Sequence, residues 1–174
     1  MTKSSKPPTR FGLETCQDIY DKLKFEAQRL EDGWSVYDTF NFVVTAYHLY
    51  RDWIEKCGSP EAKAKKSSLP EPAKMVMQSI VDLANGNKHW QMTHPNSLKS
   101  QVVTEVHEKI VGDWYAYFVA GPMVYVDFGD YRLSMFELMH QVLGYFKWIF
   151  EDGNIAFPLE LQNQLELCRI RPET

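Results

Sequence analysis

The chain has 174 residues, of which 44% are hydrophobic and 24 are aromatic (5 Trp, 9 Tyr and 10 Phe), and its formal net charge is −4. This composition excludes a disordered or fibrous chain, because the large apolar side chains can offset the entropy cost of ordering the backbone. We expect neither an export signal nor a membrane span, and the slight acidity disfavours broad electrostatic wrapping of nucleic acid. We predict one globular domain over residues 13–174, preceded by a mobile tail over residues 1–12.

The three cysteines, Cys16, Cys57 and Cys168, are odd in number, lie far apart in the sequence and show no metal-binding spacing. Neither a disulfide framework nor a structural zinc site is predicted from them. We expect each to be a small buried packing residue in a protein of the reducing cytoplasm.

Two helices are predicted at the start of the domain. Apolar residues recur at three- and four-residue steps from about Leu13 to Asp32-Gly33. The second helix runs from about Ser35, its N-cap, to Lys56, with Gly58 as its stop. It has two adjacent apolar lines and should be buried against more than one neighbour. These lines are Val36, Phe40, Val43, Tyr47, Tyr50 and Ile54, and beside them Phe42, Ala46, Leu49 and Trp53.

The remaining face of the second helix is a polar stripe of Asp38, Asn41, Thr45, His48, Asp52 and Glu55. An amphipathic helix needs a solvated face, and the stripe fits that role. It is also rich in Asn, Thr and His rather than in Lys and Glu, which favours a ligand pocket. His48 and Asp52 are one turn apart, so the carboxylate can orient the imidazole.

Residues 58–70 have the lysine, serine and proline content of a solvated connection. A third helix follows, from a capping box of Ser68 and Glu71 to a stop at Asn85-Gly86. If it is antiparallel to the second helix, the segment after it lies beside the start of that helix.

The hydrophobic period then changes to two, which predicts strands over residues 101–110, 114–120 and 123–128. The short joins between them favour an antiparallel meander. A fourth helix begins with a capping box of Ser134 and Glu137 and ends at Asp152-Gly153, and a short last helix follows Pro158. The predicted fold class is α+β: an antiparallel helical bundle with a three-stranded antiparallel β-meander before the fourth helix.

No standard catalytic motif is present, and residues 85–90 are the most unusual segment. Its amides, ammonium, imidazole and indole can hold a phosphate and stack a base, or they form an ordinary helix end. We predict a ligand site of Asn41, His48, Asp52, Asn85, Lys88, His89 and Trp90. Lys88 and His89 are the catalytic candidates, and neither a metal nor a cofactor is expected. We expect His94, His107 and His140 to be loop, strand-face and helix-face residues.

The first two predicted helices form a pair, and the second is long and aromatic. It contains TAYHLYRDW (residues 45–53), and LANGNKHW (residues 83–90) covers the end of the third helix and the segment after it. Together they resemble a HEPN domain, the nucleotide-binding helical bundle of prokaryotic toxin, defence and RNA-processing systems, and bacterial proteins that add a sheet to this core. The resemblance implies a cytoplasmic bacterial or phage protein, associated with defence or with a toxin–antitoxin system, that binds RNA, a nucleotide or a protein partner and pairs as a homodimer across helical faces.

Catalytic HEPN ribonucleases carry an Arg, then four to six residues, then a His. No Arg of this chain precedes a His at that spacing, and only Lys88 and His94 have it. A non-catalytic binding role is therefore the main prediction. One alternative is a metal-independent ribonuclease that uses His89 or His94 with Lys88 or Arg51. Another is a protein-interaction module or inhibitor that uses an aromatic sheet face of Trp114, Tyr115, Tyr117 and Tyr125.

Overall fold

The computed structural model describes residues 12–88, 100–109 and 123–170. Residues 1–11 of the predicted tail and the predicted strand 114–120 lie outside this range. Within it, the chain is mostly helical with a three-stranded antiparallel sheet, which confirms the predicted α+β class. None of the described helices combines the length and the apolar character that crossing a bilayer requires.

Helix α1 (Cys16–Asp32) begins where the sequence offers a strong N-terminal signal. Thr15 is the N-cap, and its backbone N–H donates to the Asp18 carboxylate at 2.8 Å while its hydroxyl accepts from the Asp18 N–H. This capping box satisfies N–H groups that have no partner within the helix. Gly33 follows the helix, as predicted.

The predicted second helix is one long helix of three parts: α2 (Val36–His48), a π-helical turn (Leu49–Trp53) and α3 (Ile54–Cys57). The Ser35 cap and the Gly58 stop are both confirmed. The predicted burial of both apolar lines is wrong at the start of the helix, where Val36 and Phe40 are exposed. Both lines supply the core further along the helix, where Phe42, Ala46 and Leu49 of the second line and Val43 and Ile54 of the first are buried.

The solvated connection predicted over residues 58–70 is wrong, because it contains helix α4 (Pro60–Ser67). Ser59 caps this helix by accepting from the Ala62 N–H at 3.1 Å. Lys65 on α4 is only 1% exposed, and its ammonium donates to the carbonyl oxygens of Trp148 and Asp152. A lysine can be buried in this way because its stem is apolar and its charge finds acceptors at a helix end.

Helix α5 (Glu71–Lys88) continues through Asn85-Gly86, so the predicted stop there is wrong. Gly86 does not adopt the left-handed conformation that a glycine C-cap requires. A glycine near a helix end costs only about 1 kcal/mol relative to alanine, which the rest of an 18-residue helix tolerates. The Asp82 carboxylate on α5 accepts from the N–H groups of Val102 and Val103, at 2.6 and 3.0 Å.

The sheet has the order β1-β2-β3, with β1 (Val103–Lys109), β2 (Met123–Phe128) and β3 (Tyr131–Ser134). The sheet is an antiparallel meander, as predicted, but its strands differ in part from the predicted ones. Residues 123–128 form the middle strand instead of the last, because Gly129-Asp130 turns the chain into β3. One sheet face is core, with Val126, Phe128 and Leu133 buried, and the opposite face is polar.

Helix α6 (Met135–Phe150) is the central element of the core, and it contacts α1, α4, α5 and the sheet. Its capping box of Ser134 and Glu137 is confirmed. Helix α7 (Leu159–Leu167) follows Pro158, also as predicted. Tyr145 and Phe146 on α6 are buried, and the rings lie at an edge-on angle with centroids 4.9 Å apart.

The expectation that each cysteine is a small buried packing residue is correct only for Cys16. Cys16 is buried, but Cys57 is exposed and Cys168 is intermediate. Cys16 and Cys57 lie far apart in the sequence, yet their sulfur atoms are 3.1 Å apart because α1 and the end of the long helix meet.

Candidate functional site

The site begins with an antiparallel hairpin of α1 and α2. Lys22 on α1 donates to the hydroxyl of Thr45 on α2, and Arg29, further along α1, reaches Asp38, which is earlier on α2. Arg29 donates to both carboxylate oxygens of Asp38, at 3.0 and 3.3 Å. Part of the predicted polar stripe is therefore neither solvent-facing nor a pocket, since it joins the two helices.

Large apolar side chains are exposed on both helices of this hairpin. Phe25 shares one side of α1 with Lys22 and Arg29, so it lies along α2, and Tyr37 and Phe40 occupy adjacent turns of α2. We call the following set the hairpin face: Phe25 (64% exposed), Val36 (66%), Tyr37 (83%), Phe40 (40%) and Asn41, which is also exposed.

The predicted His48–Asp52 pair is confirmed as a contact. His48 Nδ1 and Asp52 Oδ2 are 2.8 Å apart, and both side chains are about two-fifths exposed. An ionised carboxylate only accepts hydrogen bonds, so Nδ1 carries the hydrogen and Nε2 is the basic nitrogen of the neutral ring. The Tyr47 ring meets the imidazole edge-on, with centroids 5.0 Å apart. The pair thus provides an imidazole that Asp52 orients and that solvent can reach.

The π-helical turn lies directly after His48. The Ile54 N–H donates to the Leu49 carbonyl oxygen, five residues back, so the backbone is wider here than in an α-helix. The ammonium of Lys66 on α4 donates to the Tyr50 carbonyl oxygen at 2.7 Å and lies over the Tyr50 ring. This contact fixes the turn that presents Arg51 and Asp52, and such turns recur at functional sites.

The other predicted site residues are only partly described. Asn41 is exposed on α2, about two turns before His48 and on the same side of the helix. Asn85 is half-buried near the end of α5, and Lys88 is the last residue of that helix. His89, Trp90, His94 and the side chain of Lys88 lie outside the described residues, as do Trp114, Tyr115 and Tyr117 of the predicted aromatic sheet face.

A second polar site, which sequence reasoning missed, crosses the outer face of the sheet. Asp127 on β2 lies opposite Glu105 on β1 and opposite Arg132 on β3. Arg132 donates to both Asp127 oxygens at 2.7 Å, and His107 Nε2 is 2.9 Å from one of them. The Arg132 hydrogen bonds, with a smaller contribution from His107, lower the pKa of Asp127 to about 2. The sequence signal for this cluster was Gly129-Asp130, a two-residue turn that places Asp127 across from Arg132.

This sheet cluster has some properties of a metal site. The possible ligand atoms of Glu105, His107 and Asp127 lie within 4.8 Å of one another. However, the Arg132 guanidinium already binds both oxygens of Asp127, and its fixed charge opposes a cation at the same carboxylate. The residues therefore fit an ion-pair cluster better than a metal centre. His107 is on a strand face, as predicted.

No family model, curated protein or solved structure matches the chain. The HEPN-like relationship accordingly stays a prediction, and the functional argument depends on the geometry of the hairpin face and the His48–Asp52 pair.

Proposed function

We propose that the protein is a non-catalytic, HEPN-like binding protein whose partner is another protein, held against the hairpin face. The observation that carries the proposal is the exposure of Phe25, Val36, Tyr37 and Phe40 on two adjacent helices. Soluble proteins rarely expose several large apolar side chains together, and such patches are typical of interaction sites. Aromatic residues are also the commonest sources of binding energy at protein interfaces.

A protein partner fits this face better than RNA does. Nucleic-acid sites combine stacking side chains with a surplus of positive charge along the groove. Here the nearest guanidinium, Arg29, is already neutralised by a bidentate contact with Asp38, and the net charge of the chain is −4. The aromatic groups are therefore present without the basic surface that phosphates need.

The partner that we propose is a second copy of this chain. A two-fold interface brings the same patch of each copy into contact. To avoid repulsion between like charges, the patch must therefore carry positive and negative groups together or no charged groups at all. Arg29–Asp38 joins the two helices that carry the hairpin face, and His48–Asp52 lies further along the long helix. Each pairs a basic group with a carboxylate. Two copies would then meet through apolar side chains without an excess of like charge.

Sedimentation velocity over a range of protein concentrations tests the proposal. We expect the wild-type chain to dimerise and Tyr37→Ser to shift the equilibrium towards monomer by at least about tenfold, the effect of losing one central aromatic contact. Leu167→Ser is the matched control, because Leu167 is 86% exposed on α7, away from the hairpin face. A wild-type chain that stays monomeric at the highest attainable concentration, or an equal effect of both substitutions, would overturn the proposal.

The same samples separate the RNA interpretation from the protein one. Short labelled RNA that binds the wild-type chain, and binds Tyr37→Ser more weakly, would assign the hairpin face to nucleic acid. The bacterial or phage origin, the defence role and the cytoplasmic location belong to the same proposal.

A second candidate function is metal-independent RNA cleavage, which the His48–Asp52 hydrogen bond favours. An imidazole oriented by a carboxylate is suited to general acid–base catalysis, and the exposed Arg51 lies on the neighbouring turn. The test is incubation of labelled RNA with the chain in EDTA. Cleavage should be lost in His48→Ala and retained in His140→Ala, an exposed histidine on α6. Equal rates in both variants would remove this candidate.

A further inference from the structure

Two free thiols meet at the ends of two helices. Cys16 is the first residue of α1 and Cys57 is the last residue of α3, and their sulfur atoms are 3.1 Å apart. A disulfide bond is about 2.05 Å long, so an approach of roughly 1 Å would bring the sulfurs to bonding distance. Both residues are at helix ends, where the backbone adjusts more easily than in a helix interior.

The two thiols differ in their surroundings. Cys57 is exposed and its thiol contacts the Trp53 carbonyl oxygen at 3.3 Å. Cys16 is buried, and burial together with the hydrogen bond to Cys57 raises its pKa to about 12. Cys57 is therefore the thiol that an oxidant in solution reaches first, while Cys16 is held against it and away from solvent.

We propose that Cys16 and Cys57 form a reversible intramolecular disulfide, with Cys57 as the thiol that reacts with peroxide and Cys16 as the thiol that resolves the product. In the first step, the Cys57 sulfur attacks hydrogen peroxide, which yields a sulfenic acid and one water. In the second step, the Cys16 sulfur attacks the Cys57 sulfur, the S–O bond breaks and a second water leaves. Two equivalents of a small thiol reverse the reaction.

The new bond would close a loop over residues 16–57, which contains α1, α2 and the π-helical turn. It would tie the start of α1 to the end of the long helix and so restrict the relative motion of the two helices of the hairpin. This inference is independent of the proposed function, since it depends only on the contact of the two sulfurs.

Peptide mapping after mild peroxide treatment of the full chain tests the proposal. Trypsin places the three cysteines on separate peptides, residues 11–22, 57–63 and 148–169. We expect the first two peptides to be joined in the wild-type chain and in Cys168→Ser, and released again by a thiol. In Cys57→Ser no such link can form, and in Cys16→Ser dimedone should label a persistent sulfenic acid at Cys57.

The test does not depend on whether Cys16→Ser folds. Cys57 and Cys168 are less buried than Cys16, so Cys57→Ser and Cys168→Ser are expected to fold and still report whether the link forms. Three outcomes would overturn the proposal. The peroxide-treated wild-type chain yields no joined peptide, Cys57 is oxidised to sulfinic acid while Cys16 stays free, or peptide 57–63 is joined to peptide 148–169 or to its own copy in another chain.

Discussion

Lys65 Nζ donates a 2.9 Å hydrogen bond to the carbonyl oxygen of Trp148, 83 residues further along the chain. It also donates to the carbonyl oxygen of Asp152, just beyond α6, and it forms an ion pair with Glu61 on its own helix. A buried ammonium therefore satisfies carbonyl groups that the end of α6 leaves without helical partners. This contact connects α4 to the central helix of the core.

Lys65→Met should lower the free energy of unfolding by about 2–4 kcal/mol, because the methionine fills the space but leaves buried carbonyl groups without a donor. Urea denaturation of the two chains measures the difference. Lys63→Met, on the same helix at a more exposed position, should change the value by less than about 0.5 kcal/mol. Similar losses in both variants would contradict the proposed role of Lys65.

The stability contributed by Asp127 should depend on pH. Arg132 and His107 lower the pKa of this carboxyl from 3.8 to about 2 in the folded chain. The stabilising contribution is therefore complete above the pKa of the carboxyl in the unfolded chain. It is lost as the pH falls through the pKa of the folded chain, between about pH 4 and pH 2. We expect it to be on the order of 1–2 kcal/mol.

Arg132→Gln isolates that contribution from other carboxyl groups, such as Asp18, whose pKa is also lowered. The variant should show a smaller loss of unfolding free energy over this pH interval than the wild-type chain. Urea denaturation at several pH values gives both curves, and parallel curves would count against the Arg132–Asp127 contact.

Two buried tyrosines should respond in opposite ways to loss of their hydroxyl groups. The Tyr145 hydroxyl is buried and has no hydrogen-bond partner among the described residues, and burial raises its pKa. Tyr145→Phe should therefore be neutral or stabilise the fold by up to about 1 kcal/mol, since it removes an unsatisfied polar group. The Tyr131 hydroxyl donates to Glu166 at 2.8 Å and accepts from Arg169, so Tyr131→Phe should cost about 1 kcal/mol.

Thermal unfolding of the two phenylalanine variants provides the comparison, because each substitution removes one oxygen from a buried ring. A larger loss for Tyr145→Phe than for Tyr131→Phe would mean that the Tyr145 hydroxyl has a partner outside the described residues, and it would contradict the prediction.

Gly129 should be hard to replace. Its φ is +52°, in the left-handed region, and a Cβ at this position would be 3.2 Å from the sulfur of Met75. Gly129→Ala should therefore cost about 1–2 kcal/mol and loosen the turn between β2 and β3. Gly153→Ala is the control, because a Cβ there meets no atom within 4 Å. Equal denaturation midpoints for the two variants would contradict the prediction that Gly129 is needed in this turn.

Most elements of this fold were predictable because their signals are local. The Ser35 and Ser134 caps, the Gly58 stop and the alternation in β2 each depend on a few neighbouring residues. Helix α4 was missed because its lysines and serines have loop composition, and the residue that buries it, Lys65, finds its acceptors far away in the sequence. Strand β3 was missed because four residues are too short for a clear period.

In the candidate site, too, only the residues with a local sequence signal were predictable. His48 and Asp52 were predictable from their spacing, since residues four apart meet on a helix. The exposure of Val36 and Phe40 was not, because a periodic apolar line does not show which of its members find a packing partner. The Cys16–Cys57 contact and the row from Glu105 to Arg132 depend on tertiary packing and strand register, which no local pattern encodes.

The π-helical turn also affects how the length of this chain can vary. Leu49 and Ile54 are both fully buried although they are five residues apart, a spacing that would place them about 140° apart on a regular α-helix. The wider turn absorbs one surplus residue and returns the following residues to the core. Relatives that lack one residue between positions 49 and 54 would therefore keep the same packing of α3, whereas a deletion elsewhere in the long helix would rotate its apolar side away from the core.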